Sequence, residues 1–313
     1  MVMRVFVAGG TGVLGRRLVP QLLARGHQVT ATTTSAAKLG LLADLGADGV
    51  VMDGLDAASV GEAVAKAQPE VIVHQMTGLS LTHAGQLDMK HPGRYFANTN
   101  RLRIQGTDHL LAAAEAAGVS QFVAQSNATA NGIHEDGRTK PEEGPLDPHT
   151  MPAAYAVAME PLCHLEDVVL SVGGVALRYG WFYGPGATDD QVELIRKRKF
   201  PIIGGGTGYW SWVHLDDAAS ATVLAVEQKA SGVFNIVDDE PAPVSEWLPY
   251  LAQCAGAKRP MRIPRWLGRR LAGEQTVTMM TEGRGSSNAK AKRELGWELR
   301  YPSWRQGFKE ELA

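Results

Sequence analysis

Short, mostly apolar runs alternate with longer amphipathic stretches through the first half of the chain. Runs of this kind are typical of strands that are buried on both faces of a parallel sheet. The stretches between them repeat their apolar positions every three to four residues, as amphipathic helices do. The predicted strands are residues 5–8, 29–32, 49–52, 71–74 and 121–125, and the predicted helices are residues 14–25, 36–45 and 95–117.

This alternation predicts an α/β fold, a doubly wound parallel sheet of the Rossmann type with helices on both faces. The pattern changes after Val175, where loops rich in glycine, proline and aromatic residues separate the later elements. Strand character returns at residues 231–238. We therefore predict a Rossmann domain over residues 1–180, joined by residues 213–238, and a smaller C-terminal substrate domain, mainly residues 181–313, that interleaves with it.

The composition narrows the classes of function. The 313 residues include 31 Lys and Arg against 33 Asp and Glu, a net charge of −2, which argues against binding to nucleic acid or to an anionic membrane. No apolar run approaches the ~20 residues of a membrane helix. The two cysteines form no CxxC pair, and the histidines form no zinc-binding pattern. These features predict a cytoplasmic monomer or homodimer without a metal, whose partner is a small molecule.

The strongest local signal is a glycine-rich loop between the first strand and the first helix. Its first glycine permits a tight turn, its second lets the backbone approach a diphosphate, and its third lets the helix pack against the strand. Amide groups at the helix N-terminus then face the phosphates. The loop predicts dinucleotide binding by Gly9, Gly10, Thr11, Gly12, Val13, Leu14 and Gly15.

The end of the second strand distinguishes NADP(H) from NAD(H). A carboxylate there would bind the ribose 2′-hydroxyl of NAD and repel a 2′-phosphate. The sequence has Thr33, Ser35 and Lys38 at this place and no acidic residue, which favours NADP(H). Asp53, after the third strand, is a candidate acceptor for the adenine amino group, with helix capping as the alternative.

Further segments extend this pattern over nearly the whole chain. They are Asp53 and Asp56, residues 71–75, Gly106-Thr107, Leu177-Arg178, and residues 183–186, 212–217, 234–236 and 290–297. In this order and spacing, and together with the glycine loop, they resemble the extended and atypical short-chain dehydrogenases/reductases, which include NAD-dependent epimerases and dehydratases. The resemblance implies further cofactor contacts from Gly54, Met76, Thr77, Gln125, Tyr179, Gly180 and Trp181.

The residues that transfer protons in this family are not matched. The family uses a Ser or Thr after the fifth strand and a Tyr-x-x-x-Lys pair on the next helix. Here Asn127 stands at the hydroxyl position with Ser126 before it, and Tyr155 is followed by Met159 where the lysine is expected. Arg103 replaces the family's asparagine in the long helix. Asn127, Ser126 and Tyr155 remain the candidate catalytic residues, without the family's roles attached to them.

The missing lysine favours reduction over oxidation. A tyrosine without a neighbouring cation keeps a pKa near its ordinary value of about 10 and stays protonated at neutral pH. Ionising it to oxidise an alcohol would cost about 4 kcal/mol, whereas a neutral tyrosine can already donate a proton to a ketone. A phenol of the substrate, held beside the carbonyl, is an alternative proton source.

Aromatic residues on two loops favour a flat, apolar substrate. The predicted substrate-binding residues are Trp181, Phe182, Tyr183, Trp210 and Trp212. The resemblance includes tailoring ketoreductases of aromatic polyketide pathways, such as angucyclinone reductases, which also lack the Tyr-Lys pair. We therefore predict an NADPH-dependent ketoreductase that reduces a ketone of a bulky, aromatic polyketide, with substrate-assisted protonation. One alternative is a sugar-nucleotide epimerase, dehydratase or ketoreductase, and another is a regulator that senses NADP without catalysis. The first alternative needs a clamp for a diphosphate, for which the candidates are Arg265, Arg269 and Arg270.

Overall fold

A computed structural model of the chain describes residues 2–79, 92–128, 139–142, 146 and 153–312. Seven parallel strands form the central sheet, in the spatial order β3-β2-β1-β4-β5-β6-β7. The strands are β1 (Arg4–Ala8), β2 (Gln28–Thr33), β3 (Asp48–Val51), β4 (Val71–His74), β5 (Gln121–Asn127), β6 (Val175–Tyr179) and β7 (Gly232–Ile236). The predicted α/β, Rossmann-type fold is confirmed.

Helices cover both faces of this sheet. They are α1 (Gly15–Ala24), α2 (Leu39–Asp44), α3 (Ala57–Ala67), α4 (Pro92–Tyr95), α5 (Ala97–Arg101), α6 (Thr107–Ala117), α7 (Ala153–Ser171), α8 (Asp189–Arg196), α9 (Leu215–Glu227), α10 (Val244–Cys254), α11 (Arg265–Glu282), α12 (Ala289–Leu295) and α13 (Trp304–Leu312). Each face of the sheet has an apolar core, and alternate residues of β1 contribute to the two cores. Val5 and Val7 pack in the core covered by α1 and α9, and Phe6 packs in the core covered by α3 and α6. Within the described ranges, no helix is both long enough and apolar enough to cross a membrane.

The predicted long helix over residues 95–117 is interrupted. A π-helical turn (Leu102–Gly106) lies between α5 and α6. Gly106, at the end of this turn, lies against the loop that follows β3. A Cβ added to Gly106 would be 3.4 Å from the carbonyl oxygen of Gly54. A π-turn inserts one extra residue into the helix, so the apolar positions remain periodic on both sides of it. The hydrophobic pattern therefore cannot distinguish this segment from a continuous helix.

The C-terminal part of the chain has its own apolar core, built around tryptophan rings. Trp212 and Trp247 are fully buried, with ring centroids 4.9 Å apart, and Phe308 of α13 packs 5.1 Å from Trp212. The short strand Trp212–His214 pairs in parallel with Trp181–Tyr183, which follows β6 directly. The C-terminal core is thereby joined to the carboxyl edge of the main sheet.

Candidate active site

The glycine loop follows β1 at the carboxyl edge of the sheet. Gly9 has φ +97°, a left-handed conformation, and a Cβ added to it would lie 2.9 Å from the carbonyl oxygen of Gln75. Its N–H donates to Thr32 Oγ1 at 3.0 Å, and Gly12 N–H donates to the Gly9 carbonyl at 3.0 Å. The turn is therefore held by one hydrogen bond to β2 and one within the loop, and the backbone of Gln75 leaves no room for a side chain at Gly9.

The open side of this loop fits the diphosphate of a dinucleotide. A Cβ added to Gly12 would meet only the Gly9 carbonyl oxygen, at 3.2 Å, and Gly12 is exposed. Within the described residues, no backbone acceptor pairs with the N–H groups of Val13 and Leu14, which precede α1. The first turn of α1 carries no acidic side chain. Unpaired amides at a helix N-terminus attract anionic groups, and the phosphates of a dinucleotide are such groups.

The end of β2 carries hydroxyl groups and an exposed cation. Thr33 is buried, and its Oγ1 lies 3.5 Å from Thr11 Oγ1 and accepts the Ser35 N–H at 3.3 Å. Lys38 lies in the short 3-10 turn Ala36–Lys38, with its side chain exposed to solvent. This arrangement leaves the ammonium group available to a ligand at the end of β2.

Two aspartates follow β3, and they differ in role. The Asp56 carboxylate accepts the N–H groups of Ala58, at 2.9 Å, and Ser59, at 3.4 Å, and therefore caps α3. Asp53 accepts the Leu55 N–H at 2.9 Å and is otherwise exposed at the edge of the sheet. Asp53 thus remains the candidate for the adenine contact.

The loop after β4 is held in place by a buried histidine. His74 Nδ1 accepts the Met76 N–H at 3.2 Å, so Nε2 carries the proton that faces Thr107 Oγ1 at 3.1 Å. Burial lowers the pKa of His74 to about 4; a backbone hydrogen bond to Leu102 opposes this shift and the Arg103 charge adds to it. The imidazole is consequently neutral at physiological pH and acts as a fixed scaffold. Met76 and Thr77 leave the sheet from this anchored point, half-buried, and Met76 packs against buried Gly54.

Tyr179, a predicted cofactor contact at the end of β6, is a core residue. Its hydroxyl lies 2.6 Å from Thr222 Oγ1 and accepts from Gln75 Nε2 at 3.3 Å, and its side chain is 2% exposed. Burial raises the pKa of Tyr179 to about 12, and the two hydrogen bonds oppose that rise. The ring has no surface for a ligand in this arrangement. Gln125, Gly180 and Trp181 are half-buried at the same edge of the sheet, where a contact with the cofactor remains open to them.

Ser126, a predicted catalytic residue, belongs to a buried hydrogen-bond network. Its hydroxyl donates to Glu166 Oε1 at 2.6 Å, and Glu166 in turn accepts from Arg178 Nε at 2.8 Å and Nη2 at 2.6 Å. All three residues are buried, on β5, α7 and β6. The Ser126 hydroxyl therefore contributes to the packing of α7 on the sheet. This geometry corrects the prediction that the hydroxyl takes part in the reaction.

The other candidate catalytic residues lie beside this network. Asn127 ends β5 and is half-buried, opposite Tyr179 in the strand register. Met159 is 2% exposed and belongs to the C-terminal apolar cluster, so no charge stands at the expected lysine position of α7. Tyr155 lies one turn earlier in α7, and its side chain is outside the described part of the structure.

Of the five aromatic residues predicted to bind the substrate, three are buried in the core and two are partly exposed at the surface. Tyr183, Trp210 and Trp212 have exposed fractions of 0, 3 and 0%, so they form the core and expose no wall to a substrate. Trp181 and Phe182 are half-buried, and Trp181 stacks on Trp210 with ring centroids 4.3 Å apart. Of the five predicted rings, these two keep surface available for a substrate.

Sequence reasoning missed two side chains near this site. Tyr95, on α4, is half-buried, and its pKa is raised by burial and by the carboxylate of Asp190 on α8. α4 and α8 thus approach each other. The ring of Tyr95 belongs to no sequence motif. Arg103 was noted only as a departure from the family, and its burial could not be inferred from the sequence.

Comparison with known proteins identifies the family. The model of the NAD dependent epimerase/dehydratase family matches residues 5–237. The chain belongs to this family. A 3-diazoavenalumate denitrifying reductase from a Streptomyces species is 42% identical over 99% of this chain and 100% of its own length.

More distant relatives agree with this assignment. A Stigmatella aurantiaca ketoreductase of a farnesyl dihydroquinoline-1-oxide is 28% identical over 82% of this chain and 74% of its own. The crystal structure of a human epimerase family protein with NADPH superposes with a TM-score of 0.75 at 20% identity, over 99% of both chains. The chain is therefore an oxidoreductase, a reductase of this family with an extended short-chain dehydrogenase/reductase fold.

Proposed function

We propose that this reductase uses NADP(H), which supplies a hydride when it is bound at the carboxyl edge of the sheet. Three features support the proposal: the open glycine loop at the N-terminus of α1, the absence of an acid in the described end of β2, and the exposed ammonium of Lys38. Gly12, Val13 and Leu14 would hold the diphosphate. Thr33, Ser35 and Lys38 would surround the 2′-phosphate.

Replacing Lys38 should remove the preference between the two cofactors. We expect wild-type protein to bind NADPH at least tenfold more tightly than NADH, because a cation close to a phosphate contributes more than about 1.4 kcal/mol. In Lys38→Ala the NADPH affinity should fall toward that of NADH, while the NADH affinity stays constant and serves as the internal control. Calorimetric titration measures both. A tenfold preference of the wild type for NADH would contradict the assignment.

The state of two predicted positions of the proton relay favours an electrophile that needs little or no proton from the protein. The Ser126 hydroxyl is bound to Glu166, and Met159 stands at the lysine position. A ketone that accepts a hydride becomes an alkoxide and must gain a proton in the same step. A diazonium group that accepts a hydride is instead lost as N₂, and the ring carbon keeps the hydrogen, so no alkoxide forms at the reacting carbon.

We therefore infer that the substrate is an aromatic diazo compound, reduced with release of N₂. The observation that carries this inference is the 42% identity, over both full lengths, to a denitrifying reductase whose name specifies a diazo acid. The half-buried Trp181 and Phe182 support an aromatic substrate.

A substrate-assisted ketoreductase is the second candidate. The name of the Stigmatella relative favours it, since that protein is a ketoreductase of a bicyclic aromatic compound. Here a phenol next to the carbonyl would supply the proton, and Asn127 would at most hydrogen-bond the reacting oxygen. The aromatic-polyketide substrate predicted from the sequence belongs to this candidate.

One assay separates the two candidates. The purified enzyme is incubated with NADPH and diazotised 3-amino-4-hydroxycinnamic acid, and N₂ is measured by mass spectrometry against the loss of NADPH absorbance. We expect one N₂ per NADPH and no reaction with an aromatic ketone that carries a neighbouring phenol. Turnover of the ketone without N₂ release would instead establish the second candidate, and the O-methyl ether of that ketone would then test its proton source.

The Tyr155→Phe variant in the same assay tests whether a protein acid takes part. Loss of a general acid lowers turnover typically 10²–10⁴-fold. We expect less than a tenfold change with the diazo substrate, because no alkoxide forms. A loss beyond a hundredfold with intact folding would make Tyr155 the essential donor.

A further inference from the structure

The π-helical turn between α5 and α6 holds a buried arginine. Arg103 is 9% exposed and is the second residue of the turn. An extra residue in a helix costs regular hydrogen bonding, and such turns occur frequently at functional sites.

This guanidinium has no counter-charge among the described residues. Its one hydrogen bond there is from Nη1 to the amide oxygen Oδ1 of Asn100, at 3.4 Å. Arg178, a second buried arginine, has a counter-charge: it is 1% exposed and donates two hydrogen bonds to the Glu166 carboxylate. Burial lowers the pKa of Arg103 to about 10, which still leaves it protonated at neutral pH. Within the described part of the structure this buried charge is therefore left to a single hydrogen bond, an arrangement suited to binding an anionic group.

The position of Arg103 relates it to the active site. Leu102 and Gly106, at the two ends of the turn, lie against Gly54 and Met76, which belong to the predicted cofactor site. The charge of Arg103 also acts on His74, at the end of β4. On its other side the turn packs against α7, the helix of Tyr155 and Met159. The turn that carries Arg103 therefore lies between the loop after β4 and α7.

We propose that Arg103 binds a carboxylate of the substrate and so selects aromatic acids over their neutral analogues. The fork of a guanidinium matches the two oxygens of a carboxylate, and the paired charges would compensate each other in the low-dielectric interior. The proposal rests on the proposed function, in which the substrate is an aromatic acid. Arg103 is in this view a substrate-binding residue.

The test measures binding, so that it is independent of the diazo chemistry. The enzyme loaded with NADP⁺ is titrated with 4-hydroxycinnamate and with its methyl ester, which has the same ring but no charge. We expect the acid to bind about a hundredfold more tightly than the ester, since breaking a buried charge pair by removing one partner has effects of this size or larger. Equal affinities, or no binding of either compound, would overturn the proposal.

Variants assign the preference to one side chain. Arg103→Met should abolish the discrimination by weakening binding of the acid alone, and Arg103→Lys should restore part of it. Arg101→Met, at an exposed arginine two residues earlier in α5, should leave both affinities unchanged and controls for net charge. If Arg103→Met does not fold, Arg103→Gln takes its place. Discrimination that survives in a folded Arg103 variant would contradict the assignment.

Failure of the proposed function would be distinguishable from failure of this inference. Absence of N₂ release together with binding of the acid that depends on Arg103 would remove the diazo substrate and keep the carboxylate site. Release of N₂ with equal turnover of the acid and the ester would keep the diazo substrate and remove the carboxylate site.

Discussion

Gly12→Val should abolish cofactor binding while the protein stays folded. A Cβ at this position would meet only the Gly9 carbonyl oxygen, at 3.2 Å, so a small adjustment accommodates it within the protein. Its side chain would instead occupy the surface that the diphosphate needs. Loss of two hydrogen bonds to a charged phosphate corresponds to about 3 kcal/mol or more, which is at least a hundredfold in Kd. Titration with NADPH measures the affinity. The midpoint temperature of thermal unfolding is expected to change by less than about 2 °C.

Gly15→Ala is the matched control for this prediction. A Cβ there would lie 2.5 Å from the Gly9 carbonyl oxygen and 2.6 Å from that of Gly10, so the backbone must move. This variant should lose both stability, by about 1–3 kcal/mol, and affinity. If Gly12→Val bound NADPH within threefold of wild type, the loop would be a structural turn without a role in phosphate binding.

The main sheet could be predicted from the sequence because its strands are buried on both faces. Burial on both faces leaves apolar runs such as residues 71–74, where the predicted and observed strands coincide. The turn at Leu102–Gly106 escaped prediction, since an inserted residue leaves the apolar periodicity on both sides intact. The bounds of the main-sheet strands differ from the predicted ones by one or two residues, as for β5, which extends to Asn127. The helix predicted over residues 36–45 instead begins with a 3-10 turn, so that α2 starts three residues later than predicted.

The site was harder to predict than the fold, because a residue type does not reveal which way its side chain points. The glycine loop could be found because its spacing encodes a backbone shape. Trp212 and Trp181 look alike in sequence, yet one is fully buried and the other half-buried. Ser126 matches a family segment, but its hydroxyl meets Glu166, forty residues later in the chain, a contact that no local pattern contains. Arg103 was visible as a substitution, whereas its lack of a carboxylate partner among the described residues is a property of the folded chain.

Glu166→Gln should be the most destabilising of the single substitutions considered. The carboxylate is the counter-charge of Arg178, which is 1% exposed on β6, and it also accepts from Ser126. Removing one member of a buried ion pair leaves the other charge uncompensated and costs about 3–5 kcal/mol. Urea denaturation of the variant measures this loss as a lower midpoint with an unchanged slope.

Two further variants test the reason for that loss. Ser126→Ala removes one hydrogen bond and no charge, so it should cost about 1 kcal/mol and leave turnover intact, in agreement with a structural role for the hydroxyl. The double variant Glu166→Leu with Arg178→Met removes both charges at once, and buried ion pairs replaced by apolar residues of similar volume often lose no stability. We therefore expect the double variant to be more stable than Glu166→Gln. If the double variant were the less stable of the two, hydrogen-bond geometry rather than the loss of the Glu166 charge would account for the effect. A large loss of turnover in folded Ser126→Ala would return this hydroxyl to the reacting atoms.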